Sequence, residues 1–164
     1  MVGLMTASLF LPNERLEGPP PPPLTGQIDR IVIEKSARRM QLLQGGKVVR
    51  SHGVALGFSP DGDKDRQGDG RTPEGEFRID RRNDGSAFHL SLGLDYPRPE
   101  DRARAAAAGY SPGGDIFIHG QPNALPDGWK LKGDWTEGCI AVANREMREI
   151  RAVTPIGTVV EIRP

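Results

Sequence analysis

The sequence predicts a β-rich α+β domain, mainly strand with two short helices, and three observations predict it. Glycine (21) and proline (15) are frequent among the 164 residues, a composition that calls for many turns. The apolar residues fall in short β-branched runs, not in long 3.6-period stretches. Only two segments carry helical signals, and they do not alternate regularly with strands, so a βαβ parallel sheet is not expected. The length suits one core, with little room for a second.

Residues 1–24 stand apart from that domain. Residues 2–12 read V-G-L-M-T-A-S-L-F-L-P, shorter than the roughly 20 apolar residues that span a bilayer. The run resembles the apolar part of a secretory signal, yet no Lys or Arg precedes it and no clear A-x-A site follows. A signal or anchor remnant and a plain tail both fit it, and a membrane enters only through such an anchor. Five prolines at 19–23 then favour an extended spacer, read as a tether, and the domain is expected over 25–164.

Within the domain, Ile28, Ile31, Val32 and Ile33 make a strand over 28–34. A polar turn at 36–39 leads to a second strand at 40–43, and Gly45-Gly46 folds a hairpin into a third at 47–56. Residues 57–75 form a long polar connection of the kind that is usually functional or mobile. Strands follow at 77–80 and 88–92, with Asn83, Asp84 and Gly85 as their turn. Proline and acids open a helix at 99–108 and Gly109 stops it. A strand at 115–119, a helix at 144–153 capped by Asn144 and a last strand at 158–162 complete the chain. Met147, Ile150 and Val153 share one face of that second helix.

Lys plus Arg (22) equals Asp plus Glu (22), so no net field gathers a polyanion, and nucleic acid is not an expected partner. A single cysteine excludes an internal disulfide and any multi-cysteine metal or cluster site. No cofactor and no metal are expected. Asp61, Asp63, Asp65 and Asp69 imitate a calcium loop, but Arg66 stands where glycine is required and Thr72 where a bidentate glutamate belongs.

The chemistry gathers in I-F-I-H-G, ending a strand with His119 and Gly120, and in D-W-T-E-G-C-I-A, which carries the one cysteine, Cys139. A thiol attacks a carbonyl as thiolate, and an imidazole in reach takes its proton and returns one to a leaving amine. Gly138 lets the backbone turn tightly, bringing amide N–H groups toward a developing oxyanion. A lone cysteine in an apolar setting is otherwise most often a packed residue.

His119-Gly120, fifteen residues on to Trp135, and then Thr136-Glu137-Gly138-Cys139-Ile140 resemble the signature of L,D-transpeptidase catalytic domains of the YkuD type. The likeness extends to K-S-A-R-R, A-L-G-F, G-D-G-R-T-P-E-G, N-R-E-M-R-E-I and the closing G-T-V-V-E-I, about residues 27 to 163. It implies that family's mixed-sheet fold and a periplasmic or other envelope location. The substrate it implies is the peptidoglycan stem peptide. Cys139 would attack the L-centre carbonyl of the third-position diamino acid, usually meso-diaminopimelate, expel the terminal D-alanine and hold a thioester. A second stem, a lysine of an envelope lipoprotein, or water would resolve it, giving transpeptidation, protein anchoring or hydrolysis.

By the same resemblance His119 is the base, its ring oriented by the Gly120 carbonyl, and the N–H groups of Gly138 and Cys139 are oxyanion donors. Two positions depart from many members: Glu137 stands where a second histidine is common, and Ala141 where an arginine is. D-W-T-x-G-C-I-A is closer to a Gram-negative subgroup that includes enzymes cutting lipoprotein from peptidoglycan. Arg71 and Thr72 are candidates for the cleft against a turn built from Gly70 and Pro73, and Arg71 could meet a stem carboxylate. His89 could line the cleft or pack, while His52 reads as structural. Trp129 and Trp135 could form a platform or cover the core. Thr136 lies in the motif itself, and Glu137 either binds an ammonium or sits solvated. A non-catalytic wall-binding module is the reading from a different class, but it has no need of a thiol and imidazole at this spacing.

Overall fold

The computed structural model describes residues 13–16 and 18–164, so the apolar run at 2–12 lies outside it. Ten strands are described: β1 (Asn13–Arg15), β2 (Arg30–Glu34), β3 (Arg39–Gln44), β4 (Lys47–Gly53), β5 (Gly75–Ser86), β6 (His89–Leu94), β7 (Phe117–His119), β8 (Trp129–Leu131), β9 (Ile140–Ala141) and β10 (Val159–Arg163). Two helices, α1 (Pro99–Ala108) and α2 (Asn144–Val153), join them. Mainly strand with two helices, the fold is the one the sequence predicts.

Eight strands form one mixed sheet in the order β4-β3-β2-β10-β5-β6-β7-β9, and β1 pairs with β8 apart from it. The β3–β4 hairpin turns on Gly45 (φ +55°) and Gly46 (φ +80°), where both residues must be left-handed to match the strand twist. The last strand enters the middle of the sheet, parallel to β2 and antiparallel to β5, because Val160 and Ile162 alternate onto the core face. Past β4, Ala55 exchanges both backbone hydrogen bonds with Ala141 of β9. The sheet therefore curls until its two edges are joined through this segment.

The core is apolar and closed: Ile31, Ile33, Met40, Leu42, Phe77, Leu92, Leu94, Ile118, Ile140 and Val160 are fully buried. Met147, Ile150 and Val153 of α2 pack into it across β6 and β7. Each such side chain contributes about 1.5–3 kcal/mol by leaving water.

Three local expectations are corrected. The reversal between β5 and β6 falls at Ala87-Phe88, and Asn83, Asp84 and Gly85 lie within β5. Their turn chemistry is spent inside a bulged strand, where Asn83 Oδ1 accepts the Gly85 N–H at 3.0 Å, and Arg151 of α2 holds Asp84 by two 2.8 Å bonds. Asn144 is not the cap of α2. Its Oδ1 accepts the Gln121 N–H at 2.8 Å, and Glu146 Oε1 reaches back to the Ala143 N–H at 3.0 Å instead. The third strand stops at Gly53, since residues beyond it cross to β9.

The prolines lie along the domain surface rather than away from it. Arg50 donates to the Pro22 carbonyl at 2.7 Å and Arg145 to the Gly18 carbonyl at 3.2 Å.

Candidate active site

The site follows from one parallel pair of strands. Ile118 of β7 pairs with Ile140 of β9, and His119 with Ala141. Both isoleucines are fully buried, so strand alternation turns Phe117, His119, Ala141 and the adjoining Cys139 to the opposite face. Cys139 falls beside Phe117, whose backbone N–H donates to Sγ at 3.4 Å. Thiol and imidazole thus share one face, on neighbouring strands and two residues apart in register.

His119 is 3% exposed, and its Nδ1 lies 2.7 Å from the Gly120 carbonyl. That acceptor fixes the tautomer, with the proton on Nδ1 and the Nε2 lone pair directed away. Phe88 stacks on the ring at 4.6 Å and 23°, and Trp135 leans on it at 5.8 Å. Burial lowers the imidazole pKa below 6.5 against the opposing Gly120 bond, so the ring is neutral at pH 7. Cys139 is half-buried, and burial, against a smaller contribution from the Phe117 N–H, pushes its thiol up to about 11. The resting pair is therefore neutral thiol and neutral imidazole.

The turn that delivers Cys139 is built by Thr136 and three glycines. Thr136 is buried; its hydroxyl donates to the Cys139 carbonyl at 2.7 Å and accepts the Gly138 N–H at 3.1 Å. The Gly138 N–H, expected to face an oxyanion, is engaged there. The Cys139 N–H has no hydrogen-bond partner among the described residues. Gly138 has φ +138°, and a Cβ on it would meet the Arg71 carbonyl at 2.8 Å. One on Gly57 would strike the Gly70 carbonyl at 2.1 Å. The backbone of the 57–75 loop is thus seated directly under the turn.

Buried ions hold that loop. Lys35 donates to the carbonyls of Thr72 (2.7 Å) and Gly62 (2.8 Å) and pairs with Glu74 at 3.0 Å. Asp69 collects Lys64 and the N–H groups of Asp65, Arg66 and Arg71. Burial works against its ionised form, but these donors outweigh it and hold the carboxyl at about 2. Thr72 is fully buried, its hydroxyl accepting the Gly57 N–H, and the Arg71 guanidinium donates to the Asp63 carbonyl at 3.2 Å. Both are loop braces here, and it is Arg71's backbone that touches Gly138. Asp63 and Asp65 are likewise engaged, with the Glu74 N–H and the Tyr110 hydroxyl. Among the described residues no cluster of three or more His, Cys, Asp or Glu is placed to hold a metal.

The other expected residues divide. Trp135 joins the site, and Glu137 is exposed next to it. His89 does not reach Cys139: it lies four residues along β6 from Gly93, the partner of Phe117, or about 13 Å at strand rise. There it takes φ +71° and bonds Asn123 through its N–H. Trp129 sits in β8, opposite Arg15.

Sequence reasoning missed Phe88, the ring on His119, and Gln121. The Gln121 side chain donates to the Val142 carbonyl and accepts the Leu131 N–H, docking β8 beside the site. It missed Asp134 too, which accepts the Leu56 N–H and pairs with Arg38 at 2.8 Å. Exposed Phe58, whose N–H bonds the Thr136 carbonyl, flanks the turn. Phe88 meets His119 only through the pairing of its carbonyl with the Gly120 N–H, so no local signal in the sequence marks it.

The fold is a mixed sheet that carries a thiol and an oriented imidazole on one face of two parallel strands. Residues 28–162 match the YkuD family, the L,D-transpeptidase catalytic domain, and the chain belongs to that family. It is similar in structure to the helical cell shape determining protein Pgp2 from Campylobacter jejuni, at 24% identity and TM-score 0.64 over 84% of this chain and 48% of that one. It is similar also to the L,D-transpeptidase from Xylanimonas cellulosilytica, at 20% and 0.56 over 87% and 64%. L,D-transpeptidase 1 of Mycobacterium tuberculosis follows at 14% and 0.51 over 82% and 60%. The chain spans about half the length of the Campylobacter protein. No curated protein matches it.

Proposed function

We propose that this chain is a cysteine acyl-transfer enzyme of the cell envelope acting on peptidoglycan stem peptides. The observation that carries the reading is the shared face of Cys139 and His119, with Nδ1 anchored to Gly120. When a stem tetrapeptide lies over that face, Nε2 of His119 takes the thiol proton as Sγ adds to the third-residue carbonyl. The oxyanion is met by the Cys139 N–H, the amide that the turn leaves unpaired. The carbon–nitrogen bond then breaks, and the imidazolium gives its proton to the departing D-alanine amine, leaving a thioester. An incoming amine surrenders its proton to His119 as it displaces sulfur, which recovers a proton from the imidazolium.

Neutral resting groups favour proton transfer concerted with attack over a standing ion pair, because charge separation is paid for only in the transition state. The acceptor amine is that of a second stem peptide or an envelope lipoprotein lysine; with water the same thioester gives hydrolysis. The deciding experiment is mass spectrometry of products from disaccharide-tetrapeptide and lipoprotein-linked muropeptides, with the protein and its Cys139→Ala variant. Crosslinked dimers with loss of D-alanine are expected. Tripeptides or freed lipoprotein remnants would make it a hydrolase, and products that do not depend on Cys139 would end the acyl-enzyme reading.

A further inference from the structure

Three coincident features of the sheet place a cation over Phe117, the residue whose N–H meets the thiol. Ile79 pairs with Leu94 and Arg81 with Gly93, so Asp80 is an extra residue, a bulge in β5. An unbulged strand would set Asp80 opposite Gly93; the bulge sets Arg81 there, reversing the charge offered to that face. Gly93 is the second feature. A Cβ on it would lie 2.4 Å from Arg81 Nε and 3.0 Å from Cζ, so only glycine lets the guanidinium lie flat across β6. The third is the landing point, where Cζ stands 4.9 Å from the centre of the Phe117 ring. Register then runs Arg81, Gly93, Phe117 across three strands on one face, and Cys139, just ahead of β9, lies beside Phe117.

We infer that Arg81 is a specificity-determining residue that receives a free carboxylate of the stem peptide bound over Cys139. The inference rests on the proposed substrate class. Arg81 has hydrogen-bonding capacity to spare: Nη2 gives a 3.3 Å bond to the Leu94 carbonyl, and Nε meets Asp80 at 3.4 Å, both side chains being over two-fifths exposed. Nη1 has no partner among the described residues. A contact as long and exposed as that with Asp80 contributes little, whereas a planar fork held over a ring is set for bidentate carboxylate recognition. Two carboxylates flank the scissile bond of the stem: that on the side chain of the third residue and that of the terminal D-alanine.

Binding of tetrapeptide muropeptides to the full chain carrying Cys139→Ala reads this subsite without turnover. Three ligands are compared by calorimetry: both carboxylates free, the third-residue side chain amidated, and the terminal D-alanine amidated. One amidation is expected to weaken binding about tenfold or more, the worth of a charge-assisted hydrogen bond, and to identify which carboxylate Arg81 holds. Adding Arg81→Gln should remove that difference, weakening the free-carboxylate ligand far more than its amidated counterpart, and Arg81→Lys should restore part of it. Equal loss for all three ligands, no discrimination before substitution, or no binding would each overturn the assignment. Cys139-dependent products from the unsubstituted protein report separately on the acyl-transfer reading, so the two can fail independently.

Discussion

The two halves of the sheet are built differently. In β4-β3-β2-β10 the ladders run almost unbroken, with one register shift at Leu42-Leu43, and the interior positions are filled by Ile31, Ile33, Met40, Leu42, Val160 and Ile162. In β5-β6-β7-β9 the ladder is bulged twice, strands shorten to three and two residues, and glycines stand at 93, 120 and 138. Regular pairing maximises burial per residue, while each irregularity turns a side chain out of its default direction. Both halves fill the core, and the second also aims the chemistry.

The largest contrast is expected from His119→Gln, which removes the base while leaving the first half intact. The acylation rate should fall about 10²–10⁴-fold with a thermal midpoint close to that of the unchanged protein, measured by intact-mass kinetics alongside calorimetry. Leu42→Ala should do the reverse: a loss of about 2–5 kcal/mol in urea unfolding, with kcat/KM of the folded fraction retained. If Leu42→Ala also slowed the chemistry, the halves would not be separable.

pH sharpens the contrast next. Because burial lowers the His119 pKa, the acid decline of kcat/KM should set in at a lower pH than a free imidazole would give. Because the thiol sits near 11, alkylation by iodoacetamide without substrate should climb about tenfold per unit between pH 8 and 10. A plateau in that alkylation near neutrality would mean a preformed thiolate.

Asp69 gives a smaller effect, on stability. Its folded pKa of about 2 lies under the ordinary 3.8, so its contribution, about 2 kcal/mol by linkage, is complete above pH 3.8. It is lost as pH falls through 2. Asp69→Asn should therefore lower unfolding free energy at pH 7, with the gap to the parent closing in acid. Smallest of all, Phe88→Leu removes the stacked ring from His119. It should slow acylation about 3–10-fold, from the 0.5–1.5 kcal/mol of an aromatic pair, and a wild-type rate would show that Trp135 alone holds the imidazole.

What could be read from the sequence was what local chemistry determines. Gly45-Gly46 forces its hairpin, Pro99 and Gly109 bound α1, and the His119 to Cys139 spacing carries over because His119 ends β7 and Cys139 leads directly into β9. What could not be read depends on partners distant in the chain. Asn144 looks like a helix cap until Gln121 claims its oxygen, and Asn83-Asp84-Gly85 looks like a reversal until Arg151 pins it inside β5. Arg81 looks like any exposed arginine of a polar strand. Only the extra residue at Asp80 and the missing side chain at Gly93 turn it over Phe117, and neither is visible without register.

The bond between Ala55 and Ala141 has a consequence for how any peptide can be received. The outer rim of β9 already has its N–H and C=O matched by Ala55, so a ligand cannot lengthen the sheet by strand addition there, as many peptide-binding domains allow. A chain presented to Cys139 has to be laid across the pleats and recognised by its side chains and termini. Acceptance then turns on the chemistry of those groups, and little on the peptide backbone that every polypeptide shares.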